Sequence, residues 1–200
     1  MKIAIFGATG NTGVCALEAA INKGYKVQAL VRSLNNVPKG LSDKATYIVG
    51  DVLSPSDVSK VVEGTEAVCV ALGTRNDLKP TTMLSEGMKN IINAMKEHNV
   101  AKVSVCLSAF LFYEADKVPK MFVDLNADHQ RMLDVLKNSG LQYIAVLPPH
   151  IAEEPRADYK VEYDKSPGRS ISKYDLADFL LLCLNKEEHF GKVCGLATIK

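Results

Sequence analysis

Seven residues near the start, Gly7-Ala8-Thr9-Gly10-Asn11-Thr12-Gly13, carry three glycines at three-residue spacing. They follow the apolar run Ile3–Phe6 directly and open a helix-length stretch. Glycines in such a turn let the backbone approach a diphosphate, and the helix N-terminus favours its negative charge. The spacing is GxxGxxG, not GxGxxG. A second candidate strand ends at Leu30-Val31-Arg32. A carboxylate at that point would accept from a ribose 2′-hydroxyl, whereas a cation pairs with a 2′-phosphate. Arg32 therefore predicts NADPH/NADP as the cofactor. Gly50-Asp51-Val52 closes a third strand, where Asp51 either accepts from an adenine amino group or caps the following helix. Leu72-Gly73-Thr74-Arg75 closes a fourth, and Leu72 and Gly73 should line the ribose and diphosphate. Arg75 is long enough to reach a phosphate, or is simply solvated.

A second group of residues sits where two later strands end. Ser108 follows Cys106-Leu107, and His150 follows Leu147-Pro148-Pro149. Ser108 can donate one hydrogen bond to a carboxamide or an acceptor carbonyl, and His150 can hold or donate a proton near neutral pH. His129 should face the same pocket from the start of its helix. Each histidine serves equally well as a hydrogen-bonded structural side chain. Phe110, Leu111, Phe112, Tyr113 and Phe122 form an aromatic cluster on which a flat conjugated acceptor could stack, with Phe112 assigned to the core. A tyrosine with a lysine four residues on can pass a proton, because the cation lowers the phenol's pKa. Tyr113 and Lys117 have that spacing, but they fall in a loop-like segment closing at Pro119, only five residues after Ser108. The pair is rejected as an acid/base dyad.

Elements that would hold these groups alternate regularly. Strands are expected at Ile3–Phe6, Lys26–Val31, Thr46–Val49, Ala67–Leu72, Lys102–Leu107 and Gln142–Leu147. Helices are expected at Thr12–Lys23, Ser56–Val62, Thr81–His98, Asp124–Ser139 and Lys173–Leu184. Apolar strands alternating with helices imply right-handed crossovers and a parallel sheet covered on both faces. The fold class is α/β: one doubly wound, Rossmann-like NAD(P)-binding domain over residues 1–200. The segment 148–172 contains Pro148, Pro149, Pro155 and Pro167 and is expected to form a small C-terminal lid over the crevice.

Composition sets the surroundings. With 24 basic and 23 acidic residues, the chain lacks the field of a nucleic-acid binder. The 47% hydrophobic and 24% charged content is that of a globular protein. Five cysteines with no CxxC pair suit a reducing compartment, without a disulfide framework or a metal site. Four apolar residues before Gly7 are too few for a signal-peptide core, and no run reaches membrane-span length. A cytoplasmic monomer acting on small molecules, with no membrane or nucleic-acid partner, is expected.

Several stretches together resemble the family of biliverdin-IXβ reductases, which are also NADPH-dependent flavin reductases. These are Ile3–Gly10, Leu72–Leu78 (LGTRNDL), Pro80–Gly87, Ser108-Ala109-Phe110, Asp128–Met132, Pro148-Pro149-His150-Ile151 and Ile171-Ser172-Lys173, in family order as far as about Phe190. The resemblance implies hydride transfer from NADPH to flavins (FMN, FAD, riboflavin) or to linear tetrapyrroles, giving reduced flavin or bilirubin-IXβ, an activity of heme catabolism. Flavin is then a substrate and not a prosthetic group. It further implies a cofactor site of Gly7, Thr9, Gly10, Asn11, Thr12, Gly13, Arg32, Asp51, Val52, Leu72, Gly73 and Arg75. The acceptor pocket would comprise Phe110, Tyr113, Phe122, His129 and His150, with Ser108 and His150 catalytic. The family's second arginine after Arg32 is replaced by Ser33-Leu34-Asn35-Asn36, with Lys39 as a substitute cation. Tyr113 and Lys120-Met121 stand where the family can carry tryptophan and arginine. The alternatives are a non-catalytic NADP(H)-binding redox sensor, or nitrosyl transfer between thiols through Cys106 and Cys183.

Overall fold

The strand Lys2–Phe6 (β1) shows how the layers form. Ile3 and Ile5 point to one face, Ala4 and Phe6 to the other, and all four are fully buried. A strand whose alternate side chains are all buried must be covered on both sides. The computed structural model describes residues 1–199. After β1 come α1 (Asn11–Asn22), β2 (Lys26–Val31), β3 (Thr46–Val49), α2 (Pro55–Val62), β4 (Ala67–Val70) and α3 (Met83–Glu97). Then follow β5 (Lys102–Cys106), α4 (Val123–Lys137), β6 (Gln142–Leu147), β7 (His150–Ala152), β8 (Tyr159–Tyr163), β9 (Ser170–Ser172), α5 (Lys173–Leu182) and β10 (Lys192–Thr198).

The main sheet has the order β3-β2-β1-β4-β5-β6-β10-β8. Its neighbours run parallel until β8, which pairs antiparallel with β10. The chain leaves β1 for β2 and β3 on one side and returns to β4 on the other. The order therefore reverses beside β1, where α/β sheets open a crevice at their carboxyl ends. One core packs α1 and α5 on the first face, and a second packs α2, α3 and α4 on the opposite face. All five cysteines are buried, and all five belong to the α1/α5 side. Their odd number reflects packing, since a thiol behaves there as a small hydrophobe.

The expected strands and helices all form, with ends shifted by up to two residues. Two features differ from the sequence reading. The apolar stretch Lys192–Thr198 forms β10 and extends the sheet beyond β6, a strand not among those expected. The segment 148–172 contributes to both sheets. Its central alternation, β8, is the edge of the main sheet, with Leu196 opposite Val161. Its two ends pair as the short β7–β9 ribbon, His150 opposite Ser170. Among the described residues, no helix is long and apolar enough to cross a membrane.

Two glycines test how tightly the first crossover is packed. A Cβ on Gly13 would lie 1.9 Å from the Gly7 carbonyl oxygen, whereas a Cβ on Gly73 would meet nothing within 4 Å. Gly13→Ala should lower stability by about 3 kcal/mol or more, or abolish folding, while Gly73→Ala should stay within about 0.5 kcal/mol. Urea midpoints of the two variants check this difference.

Candidate functional site

At the end of β1 the chain turns sharply. Gly7 is left-handed, with φ 83°, and a Cβ there would come 2.3 Å from the Ala71 carbonyl oxygen. The turn closes with the Gly10 N–H donating to the Gly7 carbonyl at 2.9 Å. Gly10 is then the N-cap of α1 and offers no side-chain cap, so the first-turn N–H groups of α1 keep their capacity for an outside anion. This cradle, which a side chain would fill, fits the diphosphate of a dinucleotide. Thr9 lies in the same turn, and the Arg75 guanidinium donates to its Oγ1 at 3.4 Å. Arg75 and Asn76 both have positive φ, 53° and 66°. Two consecutive left-handed residues cost about 1 kcal/mol or more each, and here they turn the Arg75 side chain back over the glycine turn.

A cleft opens between the ends of β2 and β4. Arg32 at the end of β2 and Gly73 and Thr74 after β4 line one cleft of about 290 Å³, together with Asp77, Lys79, Pro80, Thr81 and Met83. Asp51 is not the cap of α2, because Ser54 holds that position. Its Oδ1 instead accepts from the Leu53 N–H at 2.8 Å in a local turn. Val52 is buried against the bare backbone of Gly87, where a Cβ would come 2.9 Å from its methyl group. The Asn90 amide donates to the Val52 carbonyl at 2.9 Å. Gly87 and Asn90, both on α3, therefore set the level of the Asp51-Val52 corner. Neither stood out in the sequence, because a helical glycine or asparagine carries no signal until its neighbour is known. Leu72 packs on the α3 side of the sheet.

The second group gathers where β5 and β6 end. The Ala109 N–H donates to the Pro148 carbonyl at 3.0 Å, tying the Ser108 corner to the proline corner before His150. Ser108 Oγ accepts the Phe110 N–H at 3.2 Å, so its own hydrogen remains available to donate. Phe110 lies against Phe122 with ring centroids 5.1 Å apart, and Tyr113 meets Phe110 edge-on at 5.8 Å. Tyr113 is 47% exposed at the rim. Phe112 packs against the α3/α4 core. Tyr113 and Lys117 do not share a helix, and Lys117 pairs with Asp116 at 3.5 Å. His150 is exposed on β7.

His129 lies well inside α4, not at its start. Burial strips water from its ring and pulls its pKa down to about 4, against the opposite pull of Asp128. The imidazole is neutral at physiological pH and can exchange hydrogen bonds but is a poor proton donor.

Beside it stands a carboxylate that sequence reading passed over. Asp128 is fully buried and accepts from the Leu84 N–H at 2.9 Å and from the Ser85 hydroxyl at 2.5 Å. Arg131 pairs with it at 3.2 Å and donates to the Thr81 carbonyl at 2.7 Å. Asp128 thus satisfies the start of α3 from across the helix interface and holds the 80–85 loop that lines the cleft. Its partners are 43 and 44 residues away, too far for any local cap pattern.

Cys106 and Cys183 lie away from solvent. Both are buried, and burial pushes the Cys106 thiol up to about 12 and Cys183 well above its ordinary value. Thiol exchange needs an accessible thiolate, which burial disfavours at both positions.

The His129 shift has a definite sign. Its folded pKa lies below the ordinary 6.5, so the unfolded chain binds the proton more readily between those values. Stability from this group is complete above pH 6.5 and lost as the pH falls, about 2 kcal/mol between pH 6.5 and 5. His129→Gln should remove that part of the slope in urea titrations at the two pH values.

The chain is similar to known NAD(P)-binding proteins over most of its length. Residues 7–187 match the family described as NAD(P)H-binding. The photosystem II assembly factor Ycf39 of Synechocystis sp. is 31% identical over 123 residues, which are 60% of this chain and 37% of that protein. The chain spans 37% and 43% of the two Ycf39 relatives it matches, the second from Cyanophora paradoxa. An uncharacterized chloroplastic protein of Arabidopsis thaliana is 25% identical over 215 residues, 98% of this chain and 76% of that one. Among solved structures, a short-chain dehydrogenase/reductase of Veillonella parvula in complex with NADP superposes with TM-score 0.82 at 18% identity, over 98% of this chain and 94% of that one. A Rossmann-fold NAD(P)-binding family protein of Shigella flexneri gives 0.80 at 21% identity, over 98% and 93%. The matched residues 7–187 run from the glycine turn through Arg32 and Ser108 to beyond α5, and the chain belongs to the NAD(P)H-binding family, an oxidoreductase-like family of Rossmann proteins.

Proposed function

We propose that this chain is an NADPH-dependent reductase of flat conjugated acceptors, namely flavins and biliverdin-IXβ-type linear tetrapyrroles. The observation that carries the reading is the Phe110–Phe122 pair close in the chain to Ser108, with no tyrosine–lysine dyad on a helix among the described residues. An alcohol or sugar substrate needs a residue to take its hydroxyl proton. A conjugated ring needs a surface to stack on and one hydrogen bond to orient it. The stretches shared with biliverdin-IXβ reductases support the same choice of acceptor.

The cofactor-binding residues would be the glycine turn with Thr9, Asn11 and Thr12, the Asp51-Val52 corner, Leu72, Gly73, Arg75 and Arg32. NADPH, when bound, supplies the hydride. Ser108 donates its free hydrogen to a carbonyl of the acceptor and steadies the negative charge that develops there. Phe110, Phe122 and Tyr113 hold the ring plane, and neutral His129 can exchange a hydrogen bond at its edge. His150, exposed at the rim, can relay the proton that the reduced acceptor takes from solvent. The acceptor gains a hydride and a proton, so the balance closes without a further oxidant or reductant.

The first assay follows NADPH consumption by the purified protein with FMN, with biliverdin-IXβ and without acceptor, with NADH in parallel. Acceptor-dependent consumption is expected. Tight NADPH binding with no turnover on either acceptor would overturn the reading and favour an NADP(H)-binding sensor, a role compatible with relatives named as assembly factors. Ser108→Ala should cut kcat by about tenfold to a hundredfold while NADPH affinity stays unchanged. Arg32→Glu should weaken NADPH by on the order of a hundredfold and NADH by no more than about threefold, as titration of cofactor fluorescence would register.

A further inference from the structure

Arg32 faces its cleft with a companion. Lys79, from the loop after β4, lines the same space of about 290 Å³. The two cations approach from β2 and from the chain after β4, the strands that flank β1 on either side. Their common cleft therefore spans the point where the sheet order reverses. Among the described residues neither cation forms an ion pair. Lys79 is held in position by its own backbone. Asp77 donates its N–H to the Thr74 carbonyl at 3.1 Å, and its Oδ1 accepts the Lys79 N–H at 3.1 Å. These two turns bring the chain back over the cleft, with Asp77 also on its wall. Two cations against one carboxylate leave the cleft with an excess positive charge.

We propose that Lys79 is the second cation of the 2′-phosphate site and, with Arg32, determines the choice of NADP(H) over NAD(H). This rests on the NADP(H) reading given above and deepens it. The loop after Arg32, Ser33-Leu34-Asn35-Asn36, brings no second cation. Lys39, the next lysine along the chain, starts a separate short turn at Lys39–Leu41 and is not on the wall of the cleft. The clamp thus draws on a loop 47 residues beyond Arg32 instead of on the strand end itself. A dianionic phosphate between a guanidinium and an ammonium gains charge-assisted hydrogen bonds from both, and a bare 2′-hydroxyl gains little.

Calorimetric titration of the full chain with 2′,5′-ADP and with 5′-AMP isolates the 2′-phosphate. Lys79→Ala should weaken 2′,5′-ADP about tenfold and leave 5′-AMP within about twofold, with Lys79→Arg restoring most of the loss. Lys39→Ala should change neither. An equal loss for both ligands in Lys79→Ala, no loss for either, or a selective loss in Lys39→Ala would each overturn the assignment. If the unaltered protein itself fails to prefer 2′,5′-ADP, the NADP(H) reading fails with it. A preference that survives in Lys79→Ala removes Lys79 alone.

Discussion

The backbone of α1 approaches the end of β1 so closely that only hydrogen fits between them: a Cβ on Gly13 would stand 1.9 Å from the Gly7 carbonyl oxygen. Gly7 makes the same demand of β4, where a Cβ would stand 2.3 Å from the Ala71 carbonyl oxygen. These two contacts draw the N-terminus of α1 over the place where the sheet order reverses. With Gly10 as a cap without a side chain, the free N–H groups of the first turn and the partial positive charge of the helix meet at one point. Every other feature of the cofactor end is disposed around that point. Arg75 reaches Thr9 in the glycine turn, and Arg32 and Lys79 line one cleft with Gly73 and Thr74.

The stretch between β5 and α4 is built on a different principle. Ser108, Phe110, Tyr113 and Phe122 lie between β5 and α4, on or beside short single-turn 3-10 helices. What rigidity they have comes from a few bonds: Ala109 to Pro148, Phe110 to Ser108, and the stacking of Phe110 on Phe122. A hydride site needs its donor held rigidly, because the barrier rises steeply with misplacement. A stacking wall on short turns can receive rings of different outline. Asp128 ties α4 to the start of α3, through the Leu84 N–H and the Ser85 hydroxyl. That carboxylate is buried among three donors, so its loss would leave the start of α3 uncapped and Arg131 without its charge partner.

Much of this was legible along the chain because the information is local. A glycine turn after an apolar run, strands buried on both faces and helices with three- and four-residue periodicity need only neighbouring residues to be recognised. The chain alone therefore determined the doubly wound sheet, the turn at Gly7–Gly13, the cation at the end of β2 and the Ser108 and His150 corners. It also ruled out the Tyr113/Lys117 pair, since that segment had no helical pattern to carry it.

Long-range pairing decided the rest. β10 has an apolar pattern that suits a strand, but only its register against β6 and β8 places it in the sheet and makes β8 the edge. The five cysteines collect on one face because of packing that no spacing reveals. Asp128, Gly87, Asn90 and Lys79 work through partners tens of residues away, so each is unremarkable in sequence and specific in space. His129 owes its neutral ring to the water its neighbours exclude. Composition and periodicity act over a few residues, whereas desolvation, remote capping and the pairing of two cations exist only once the tertiary structure has brought distant segments together.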